Sequence, residues 1–241
     1  MFAADLLKQI DRDEVPDGVV VQYGRSTGRV APSDLGLLSP EEHGRVAAFR
    51  DPLRSVYFAA AHAGVRRCLA GILECDPAEI RFGRRPCAGC GRVRHGRPRI
   101  DRPRTRWEFS LSRSGPYWVC AAAEGVRVGV DLERVRPMDV SSLAHSVLSA
   151  GERRHLGDVA PQFRAVEFLR CWTRKEAVVK ASGIGIEAEL GTIEVSPGQA
   201  CARVNHRVTG CEFDSWSVTD LPTRTDLVSA IAVPACSRYS T

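Results

Sequence analysis

Residues 107–135 read "WEFSLSRSGPYWVCAAAEGVRVGVDLERV", and their pattern predicts three consecutive β-strands. Aromatic and β-branched residues form runs that are interrupted twice, by "SRSGP" at 112–116 and by "AEG" at 123–125. Glycine and proline in gaps this short indicate turns between strands. We therefore expect a strand on each side of residues 112–116 and a third strand after Gly125.

Helices are predicted on both sides of these strands. Residues 40–72 carry apolar side chains at helical spacing, with a break expected at Gly64. Further along, residues 149–152 match a capping box that begins a helix, and a longer helix is predicted over 161–182. Residues 192–233 look like short strands and turns. Because strands and helices do not alternate regularly, the sequence indicates the α+β class.

The composition is that of a globular protein. The chain has 241 residues, of which 44% are hydrophobic and 26% are charged. No apolar run approaches the roughly 18 residues that a membrane helix needs. Charges lie early among the first residues, so we expect no secretory signal, no membrane association and a cytoplasmic location. The nine cysteines are then expected to be reduced thiols.

The basic character of the chain is concentrated in one segment. Residues 81–106 contain ten arginines and one aspartate, whereas the whole chain has a net charge of +5. We interpret this Arg-rich segment as an extended loop that faces an anionic partner, or as a merely solvated loop. A nucleic-acid-binding module is the less favoured alternative, because Phe82 is the only aromatic residue within it. We therefore expect no nucleic-acid partner.

The third strand carries two carboxylates on one face. Alternation along residues 126–133 places Asp131 and Glu133 on the same side, with Gly129 leaving open space beside them. Like charges this close repel each other unless a cation lies between them, and hard oxygen ligands suit Mg²⁺. The alternative is an ordinary solvated acidic pair at a strand end.

The apolar face of the long helix leads to a third carboxylate. Ala165, Phe168 and Trp172 follow helical spacing, and Glu176 is the next residue on that face. Lys180 lies one turn further on. Glu176 and Lys180 therefore form either a surface ion pair or part of a cleft that holds a cation.

Two motifs together resemble a known family. "GVDLE" at 129–133 and "WTRKEAVVK" at 172–180 are similar to the paired motifs of the surfactin-type 4'-phosphopantetheinyl transferases. The resemblance implies two similar α+β subdomains related by a pseudo-twofold axis, with coenzyme A in the cleft between them. We place the two halves at residues 1–117, which include the Arg-rich segment, and 118–241.

The resemblance also implies a reaction and the residues that perform it. Such enzymes transfer the phosphopantetheine of coenzyme A to a serine of an apo carrier protein and release adenosine 3',5'-bisphosphate. Asp131, Glu133 and Glu176 correspond to the Mg²⁺ ligands, Glu176 also to the general base, and Lys180 to the lysine that contacts the phosphates. Lys175 is expected to pair with an acidic group or with a phosphate.

Other positions correspond to coenzyme contacts, with departures. Arg97, in "GRP", stands where the family has Gly-Lys-Pro, and Ser112 and Arg113, in "FSLSRSG", stand where it has Ser-His-Ser. Arg113 binds phosphate but does not titrate near neutral pH, so no histidine-linked pH dependence is expected. Tyr57 replaces a common coenzyme-binding arginine, and Arg54, one turn earlier, is the candidate to compensate.

The carrier is expected to be acidic and to dock beside the cleft, along residues 183–195. The segment "GIGIEAELGTIEV" is apolar and holds no basic residue, so hydrophobic contact should dominate there. We expect a monomeric enzyme. The motifs do not distinguish carriers of fatty acid, polyketide or nonribosomal peptide synthesis.

Two features stand outside this assignment. Cys87, Cys90 and His95 have metal-ligand spacing, but structural zinc takes four ligands and no second C-x-x-C exists, so bound zinc is the less favoured interpretation. Glu152 aligns with a glutamate near the coenzyme in the family. Because it also completes the capping box at 149–152, we favour the capping role.

Overall fold

The computed structural model of the chain describes residues 15–185 and 188–235. None of the helices in these ranges is both long and apolar enough to cross a membrane. The helices are α1 (Pro32–Leu35), α2 (Pro40–Ala48), α3 (Pro52–Leu73), α4 (Val140–Val147), α5 (Ala150–Asp158) and α6 (Arg164–Ser182). The strands are β1 (Val19–Arg25), β2 (Arg81–Arg84), β3 (Pro98–Arg102), β4 (Trp107–Ser114), β5 (Tyr117–Glu124), β6 (Gly129–Arg134), β7 (Cys201–Asn205), β8 (Ser215–Asp220) and β9 (Leu227–Pro234).

The strands form two larger antiparallel sheets and a separate hairpin. The first sheet has the order β1-β5-β4, the second has the order β6-β9-β8-β7, and β2 pairs with β3 alone. Helices lie outside this strand order, so the α+β class is confirmed. The three consecutive strands are also confirmed as β4, β5 and β6, although β6 begins at Gly129 rather than directly after the turn at 123–125.

The helical region before the strands is divided in two. Helical structure over residues 40–72 with a break at Gly64 was expected, but the break lies earlier: α2 ends at Ala48 and α3 begins at Pro52. Asp51 is the N-cap of α3, and its side chain accepts a hydrogen bond of 2.9 Å from the Leu53 amide. Gly64 does not break α3. A Cβ there would lie 2.3 Å from Cζ2 of Trp118, so Gly64 makes room for that ring of β5.

Helix α6 lies very close to strand β6. A Cβ at Gly129 would be 2.0 Å from the carbonyl oxygen of Ala177, so only glycine permits this approach of two backbones. The open space expected at Gly129 is therefore wrong: the helix occupies it. Phe168 and Leu169 bury the inner face of α6, and the helix ends as predicted at Gly183, whose φ of 82° is left-handed.

Serine side chains join the two larger sheets. Strand β4 lies beside β6, and the hydroxyl oxygens of Ser110 and Ser114 accept hydrogen bonds from the amides of Val130 (3.1 Å) and Arg134 (3.0 Å). These bonds replace part of a regular ladder, because β4 and β6 belong to different sheets. The division between residues 117 and 118 stays a prediction. Strand β5 begins there and pairs with β1 and β4, so the sheets themselves change after β5.

The Arg-rich segment is not an extended loop. Its two ends form the strands β2 and β3, which pair as a hairpin, so the expectation of an extended loop was wrong. The tip of this hairpin binds the end of α6: the Ala88 amide donates to the Gly183 carbonyl (3.3 Å), and the Cys87 thiol donates to the Ile184 carbonyl (3.1 Å). The basic β2–β3 hairpin therefore contacts the end of α6, the helix that carries Glu176.

Candidate functional site

A cavity of about 860 Å³ lies between strand β4, the β2–β3 hairpin and the helices α2, α3 and α6. Its volume falls within the usual range for ligand sites, about 300–1,000 Å³. Helix α6 contributes Glu176 and Lys180 to the wall, the hairpin contributes Arg97, β4 contributes Arg113, and α3 contributes His62. The structure therefore brings four of the sequence-predicted residues, Glu176, Lys180, Arg97 and Arg113, to one cavity.

Asp131 lies behind Lys180, next to this cavity. The carboxylate oxygen Oδ1 accepts hydrogen bonds from the Ser112 hydroxyl (2.6 Å) and from the Lys180 ammonium (2.6 Å). The other oxygen, Oδ2, is buried and has no hydrogen-bond partner among the described residues. An unpaired buried carboxylate oxygen is costly, so this atom is the best candidate in the site to contact a bound ligand.

Glu133 extends the acidic face by one step along β6. Its Oε2 accepts a hydrogen bond of 2.7 Å from the Ser114 hydroxyl, and Arg136 approaches the same oxygen at 3.4 Å. Ser112 and Ser114 alternate on β4 just as Asp131 and Glu133 alternate on β6. Each serine therefore orients one carboxylate.

Burial and the neighbouring charges change the pKa of Glu176. Burial raises the pKa of its carboxyl above the ordinary value, the charges of Asp131 and Glu133 raise it further, and Lys180 opposes them. Asp131 and Glu133 therefore act on the charge of Glu176. We call Asp131, Glu133 and Glu176, with Lys180, the acidic cluster.

Lys180 binds Asp131 rather than Glu176. Its ammonium donates to Asp131 Oδ1 and, at 3.0 Å, to the Val130 carbonyl. The alternative of a surface pair between Glu176 and Lys180 is therefore not what the structure forms. Two of the three ammonium hydrogens are used, and the side chain keeps 27% of its surface exposed toward the cavity.

Helices α2 and α3 and strand β4 bring three arginines and a histidine to the cavity. The guanidinium carbons of Arg45 and Arg113 lie 4.8 Å and 5.0 Å from the centroid of the Phe58 ring. His62 stacks on the same ring at 4.0 Å, and Arg66 binds the nearby Glu42 at 2.8 Å. We call Arg45, His62, Arg66 and Arg113, with Glu42, the basic cluster.

Comparison with known proteins agrees with these motifs. Residues 127–232 match the family model of the 4'-phosphopantetheinyl transferase superfamily. The 4'-phosphopantetheinyl transferase HetI of Nostoc sp. is 30% identical over 201 residues, which cover 81% of this chain and 78% of HetI. The chain belongs to this superfamily. Two other relatives are the transferase psf-1 of Bacillus pumilus, 30% identical over 52% of this chain and 53% of psf-1, and the transferase AcpT of Salmonella typhi, 32% identical over 51% of this chain and 61% of AcpT.

The chain is accordingly a 4'-phosphopantetheinyl transferase, which moves the phosphopantetheine group of coenzyme A to a carrier protein. Its two partners are therefore coenzyme A and a carrier protein. The matched range, 127–232, begins just before β6 and contains all of the acidic cluster.

Lys175 is not a coenzyme-binding residue of this transferase. Its side chain is fully buried, and its ammonium binds the carbonyls of Leu190 (2.9 Å) and Ile193 (2.6 Å) and the carboxylate of Glu152 (2.5 Å). All three hydrogens are used, so none is left for a phosphate. Of the two expected partners, the structure shows the acidic group.

Glu152 has the capping role that the sequence favoured. Its carboxylate accepts from the Ser149 amide (2.8 Å), and the Ser149 hydroxyl accepts from the Glu152 amide (3.1 Å). The same carboxylate accepts from the Val195 amide and pairs with Lys175. With these partners Glu152 is fully buried in the C-terminal core.

Two other predicted coenzyme contacts are corrected. Ser112 is buried, and its hydroxyl hydrogen is committed to Asp131, so it positions a carboxylate instead of facing the cavity. Arg54 lies at the exposed start of α3, where 77% of its side chain is accessible and Asp51 is 3.6 Å away. Neither is among the described residues that line the cavity, and Arg54 does not compensate for Tyr57 there.

The apolar docking segment at 183–195 is also corrected in part. Ile193 and Val195 are fully buried, and Ile184 packs against the same core, so these side chains do not offer an apolar surface. Ile186 lies outside the described residues. At this end of α6, Gly183 and Gly185 line the cavity instead.

Sequence reasoning missed four residues of the basic cluster: Glu42, Arg45, His62 and Arg66. Glu42 completes a capping box with Ser39, and its carboxylate also binds His62 Nδ1 at 2.7 Å. The capping signature at 39–42 and the spacing of four between His62 and Arg66 were both visible in the sequence. Neither signal shows that α2 and α3 meet at a cavity, because that requires the packing of the two helices.

The residues of the acidic cluster fit a hard divalent cation. They offer carboxylate oxygens, one of which is buried without a partner among the described residues, and burial together with the charges of Asp131 and Glu133 raises the pKa of Glu176. Within residues 15–185 and 188–235, no three His, Cys, Asp or Glu side chains are grouped so that they could hold a metal ion by themselves. Mg²⁺ needs fewer protein ligands, since it usually binds one or two carboxylates, several waters and substrate phosphates.

The cysteine motif supplies few zinc ligands. Cys90 Sγ and His95 Nδ1 lie 3.5 Å apart, whereas the Cys87 thiol donates to the Ile184 carbonyl. Structural zinc takes four ligands. In the described part of the chain the motif acts as the hairpin tip that contacts the end of α6.

Proposed function

We propose that the transferase binds coenzyme A in the cavity with its pyrophosphate at the acidic cluster and its 3'-phosphate at the basic cluster. The observation that carries this proposal is the pairing of two kinds of charged group at one cavity. Arg45, Arg66 and Arg113 line it around Glu42, whereas Glu176 and Lys180 line it at α6, with Asp131 bound to Lys180. The basic cluster suits a bare phosphate, and the acidic cluster suits a phosphate that arrives with a cation.

We propose Mg²⁺ as that cation, with Asp131, Glu133 and Glu176 as its candidate ligands. When bound, Mg²⁺ neutralises charge on the pyrophosphate that is attacked. Asp131 is the best-supported ligand, because its Oδ2 is buried without a partner. Hydrogen bonds from the Ser112 and Ser114 hydroxyls fix the orientation of the Asp131 and Glu133 carboxylates.

Glu176 is the proposed general base. The serine hydroxyl of the carrier attacks the phosphorus bonded to the pantetheine arm, and the hydroxyl proton passes to the Glu176 carboxylate. A new serine O–P bond forms as the P–O bond to the adenosine 3',5'-bisphosphate breaks. A carboxylate whose pKa is raised by burial and by Asp131 accepts a proton more strongly than an ordinary glutamate.

Lys180 is the proposed stabiliser of the leaving phosphate. Its third ammonium hydrogen is not used by Val130 or Asp131, and the side chain lines the cavity. A compact ammonium can donate this hydrogen to one phosphate oxygen without the space that a guanidinium needs. Arg97 and Arg113 contribute charge to the same cavity from the hairpin and from β4.

The surfactin-type organisation is part of the proposal. Each half has a long helix against an antiparallel sheet: α3 contacts β5 and β1, and α6 contacts β6 and β9. This repetition supports two subdomains related by a pseudo-twofold axis, with coenzyme A between them. A cytoplasmic, monomeric enzyme is the simplest form consistent with these features.

The carrier is proposed to enter beside Gly183 and Gly185, at the end of α6. The exposed hairpin residues Arg92, Val93 and Arg94 lie next to the cavity wall and could attract an acidic carrier. The expected docking at 183–195 is therefore retained for its first residues, with the hairpin tip as the charged part of the surface.

The experiment is a metal-controlled assay on a panel of apo carrier proteins. Each carrier is incubated with the chain and coenzyme A, with EDTA or with added Mg²⁺, and mass spectrometry measures the gain of one phosphopantetheine. We expect modification with Mg²⁺ and none with EDTA. Asp131→Asn should need more Mg²⁺ than the parent, with Asp139→Asn on the exposed start of α4 as the matched control. Full modification in EDTA would refute the metal proposal.

A further inference from the structure

His62 is the one ring of the basic cluster that can change its charge near neutral pH. It lines the cavity, stacks on Phe58 at 4.0 Å, and its Nδ1 lies 2.7 Å from Glu42 Oε1. The side chain is 17% exposed. No described residue forms a hydrogen bond with its other nitrogen, Nε2. The ring is thus fixed on one side by Glu42 and open on the other.

Glu42 determines which nitrogen of His62 carries the proton. Burial alone would raise the pKa of Glu42, but hydrogen bonds from His62, Arg66 and the Ser39 backbone outweigh burial and lower the pKa to about 2. The ionised carboxylate only accepts hydrogen bonds, so Nδ1 must be the donor. In the neutral ring Nε2 therefore has a lone pair and no hydrogen.

The groups around the ring oppose a second proton in the empty cavity. Burial lowers the pKa of His62, Glu42 raises it, and Arg113 of β4 and Arg66 of α3 lower it again. Arg45 and the exposed Glu41, both from α2, also face this wall. The empty transferase therefore holds His62 neutral at neutral pH.

We propose that His62 is a coenzyme A-binding residue that takes up a proton when a phosphate of coenzyme A enters the basic cluster. This inference rests on the proposed binding of coenzyme A in the cavity. A phosphate oxygen next to the lone pair of Nε2 would be repelled. Once Nε2 gains a proton from solvent, the imidazolium donates a hydrogen bond to the phosphate and remains paired with Glu42. The phosphate also offsets the charges of Arg66 and Arg113 that keep the free ring neutral.

The affinity for coenzyme A should therefore depend on pH through His62, which the arginine at position 113 does not predict. Arg113 stands where the family has histidine, yet the structure places His62 from α3 over the same Phe58 ring. The sign follows from linkage: binding raises the pKa of His62, so affinity falls as pH rises above the pKa of the free ring. The largest slope is about tenfold in Kd per pH unit.

Isothermal titration calorimetry of the full chain with coenzyme A tests this proton uptake. Titrations at one pH in buffers of different ionisation enthalpy give the number of protons taken up on binding. Coenzyme A also titrates, so the decisive quantity is the difference between the parent and His62→Gln. We expect the parent to take up more protons than His62→Gln, by up to one, whereas His43→Gln, on the exposed side of α2, should match the parent.

A second variant and a second ligand sharpen the test. His62→Arg supplies a permanent charge, so it should bind at least as tightly as His62→Gln without the additional proton. Dephospho-coenzyme A lacks the 3'-phosphate, and loss of the uptake with this ligand assigns the contact to that phosphate; uptake that persists assigns it to the pyrophosphate. Circular dichroism checks that each variant is folded.

The outcomes separate this inference from the proposed function. If the folded parent does not bind coenzyme A at all, the proposed cavity is wrong and the inference falls with it. If the parent binds and His62→Gln takes up the same number of protons, His62 does not contact the phosphate, and the cavity assignment stands.

Discussion

The acidic and basic clusters both contribute to one cavity, the acidic cluster through Glu176 and Lys180, but they satisfy their charges very differently. In the basic cluster, hydrogen-bond donors surround Glu42. Burial raises the pKa of its carboxyl, but these hydrogen bonds outweigh burial and lower the pKa to about 2. In the acidic cluster, Asp131 Oδ2 has no partner among the described residues, and the pKa of Glu176 is raised. Glu42 therefore has its partners within the fold, whereas the acidic cluster has a carboxylate oxygen that the described residues leave unpaired.

This difference has opposite effects on stability. A carboxyl with a lowered pKa contributes stability above its unfolded pKa, which is lost as pH falls through the folded value. Glu42 is of this kind. A carboxyl with a raised pKa contributes stability only at low pH, and this is lost as pH rises through its folded value. Glu176 therefore destabilises the fold at neutral pH, as expected of a residue retained for chemistry.

Glu176→Gln is expected to have the largest effect on turnover. Glutamine is nearly the same size but cannot accept the serine proton, so kcat should fall by about 10²-fold or more. Without metal, in EDTA, the variant should melt at a higher temperature than the parent at neutral pH, because a repelled carboxylate has been removed. Carrier modification and thermal melting measure the two effects.

The control for Glu176→Gln is Glu124→Gln, at the exposed end of β5. It removes the same charge far from the acidic cluster and should leave both turnover and melting temperature unchanged. Near-parental turnover in Glu176→Gln would remove the general base from the mechanism. A lower melting temperature in EDTA would contradict the raised pKa.

Lys175 and Lys180 lie on the same helix, but substitution by methionine should affect them differently. Lys175→Met leaves Glu152 buried without its counter-ion and should cost about 3–5 kcal/mol of unfolding free energy. Lys180→Met should cost less unfolding free energy than Lys175→Met, because the Lys180 side chain is 27% exposed, but it should lose most turnover, because its ammonium lines the cavity. Denaturant unfolding together with carrier modification separates them. If Lys175→Met stayed stable and lost affinity for coenzyme A, the buried role would be wrong.

The sequence predicted those parts of the fold that local signals determine. Gly183 ends α6, and Ser149 begins α5, since capping depends on residues a few positions apart. Alternation likewise placed Asp131 and Glu133 on one face of β6. The motif resemblance then correctly assigned the chain to its superfamily.

What failed required distances between segments. The helical angle of Lys175 was known, but not that the chain after α6 folds over it and supplies carbonyls from Leu190 and Ile193. Gly129 suggested open space, although α6 fills it. His62 was overlooked because α3 is buried on several sides, so its apolar pattern does not show which side faces a ligand.

Ser114→Ala tests whether the acidic cluster is oriented by β4. The substitution removes the hydrogen bond to Glu133 Oε2, and also the acceptor of the Arg134 amide, but it leaves the carboxylate itself in place. Loss of such a supporting bond typically weakens metal affinity by about 10–100-fold. We expect the concentration of Mg²⁺ at half-maximal activity, and the affinity for Mn²⁺ measured by electron paramagnetic resonance, to shift in this direction. The Ser33→Ala variant, on the exposed helix α1, is the control.

Arg54→Ala should have the smallest effect, and it tests whether the basic cluster ends where the structure places it. Arg54 has 77% of its side chain exposed and pairs with Asp51 at 3.6 Å, a surface pair of about 0–1 kcal/mol.

Arg113→Ala removes a charge that lines the cavity, so the KM for coenzyme A should rise several-fold or more, as truncation of a charged contact usually does. Arg54→Ala should leave this KM unchanged within about twofold, because a single exposed charge outside the cavity is screened by salt. The two KM values, measured at the same ionic strength, decide the point. Equal increases would mean that the coenzyme extends past α3 to its first turn, and the boundary of the basic cluster would have to move to Arg54.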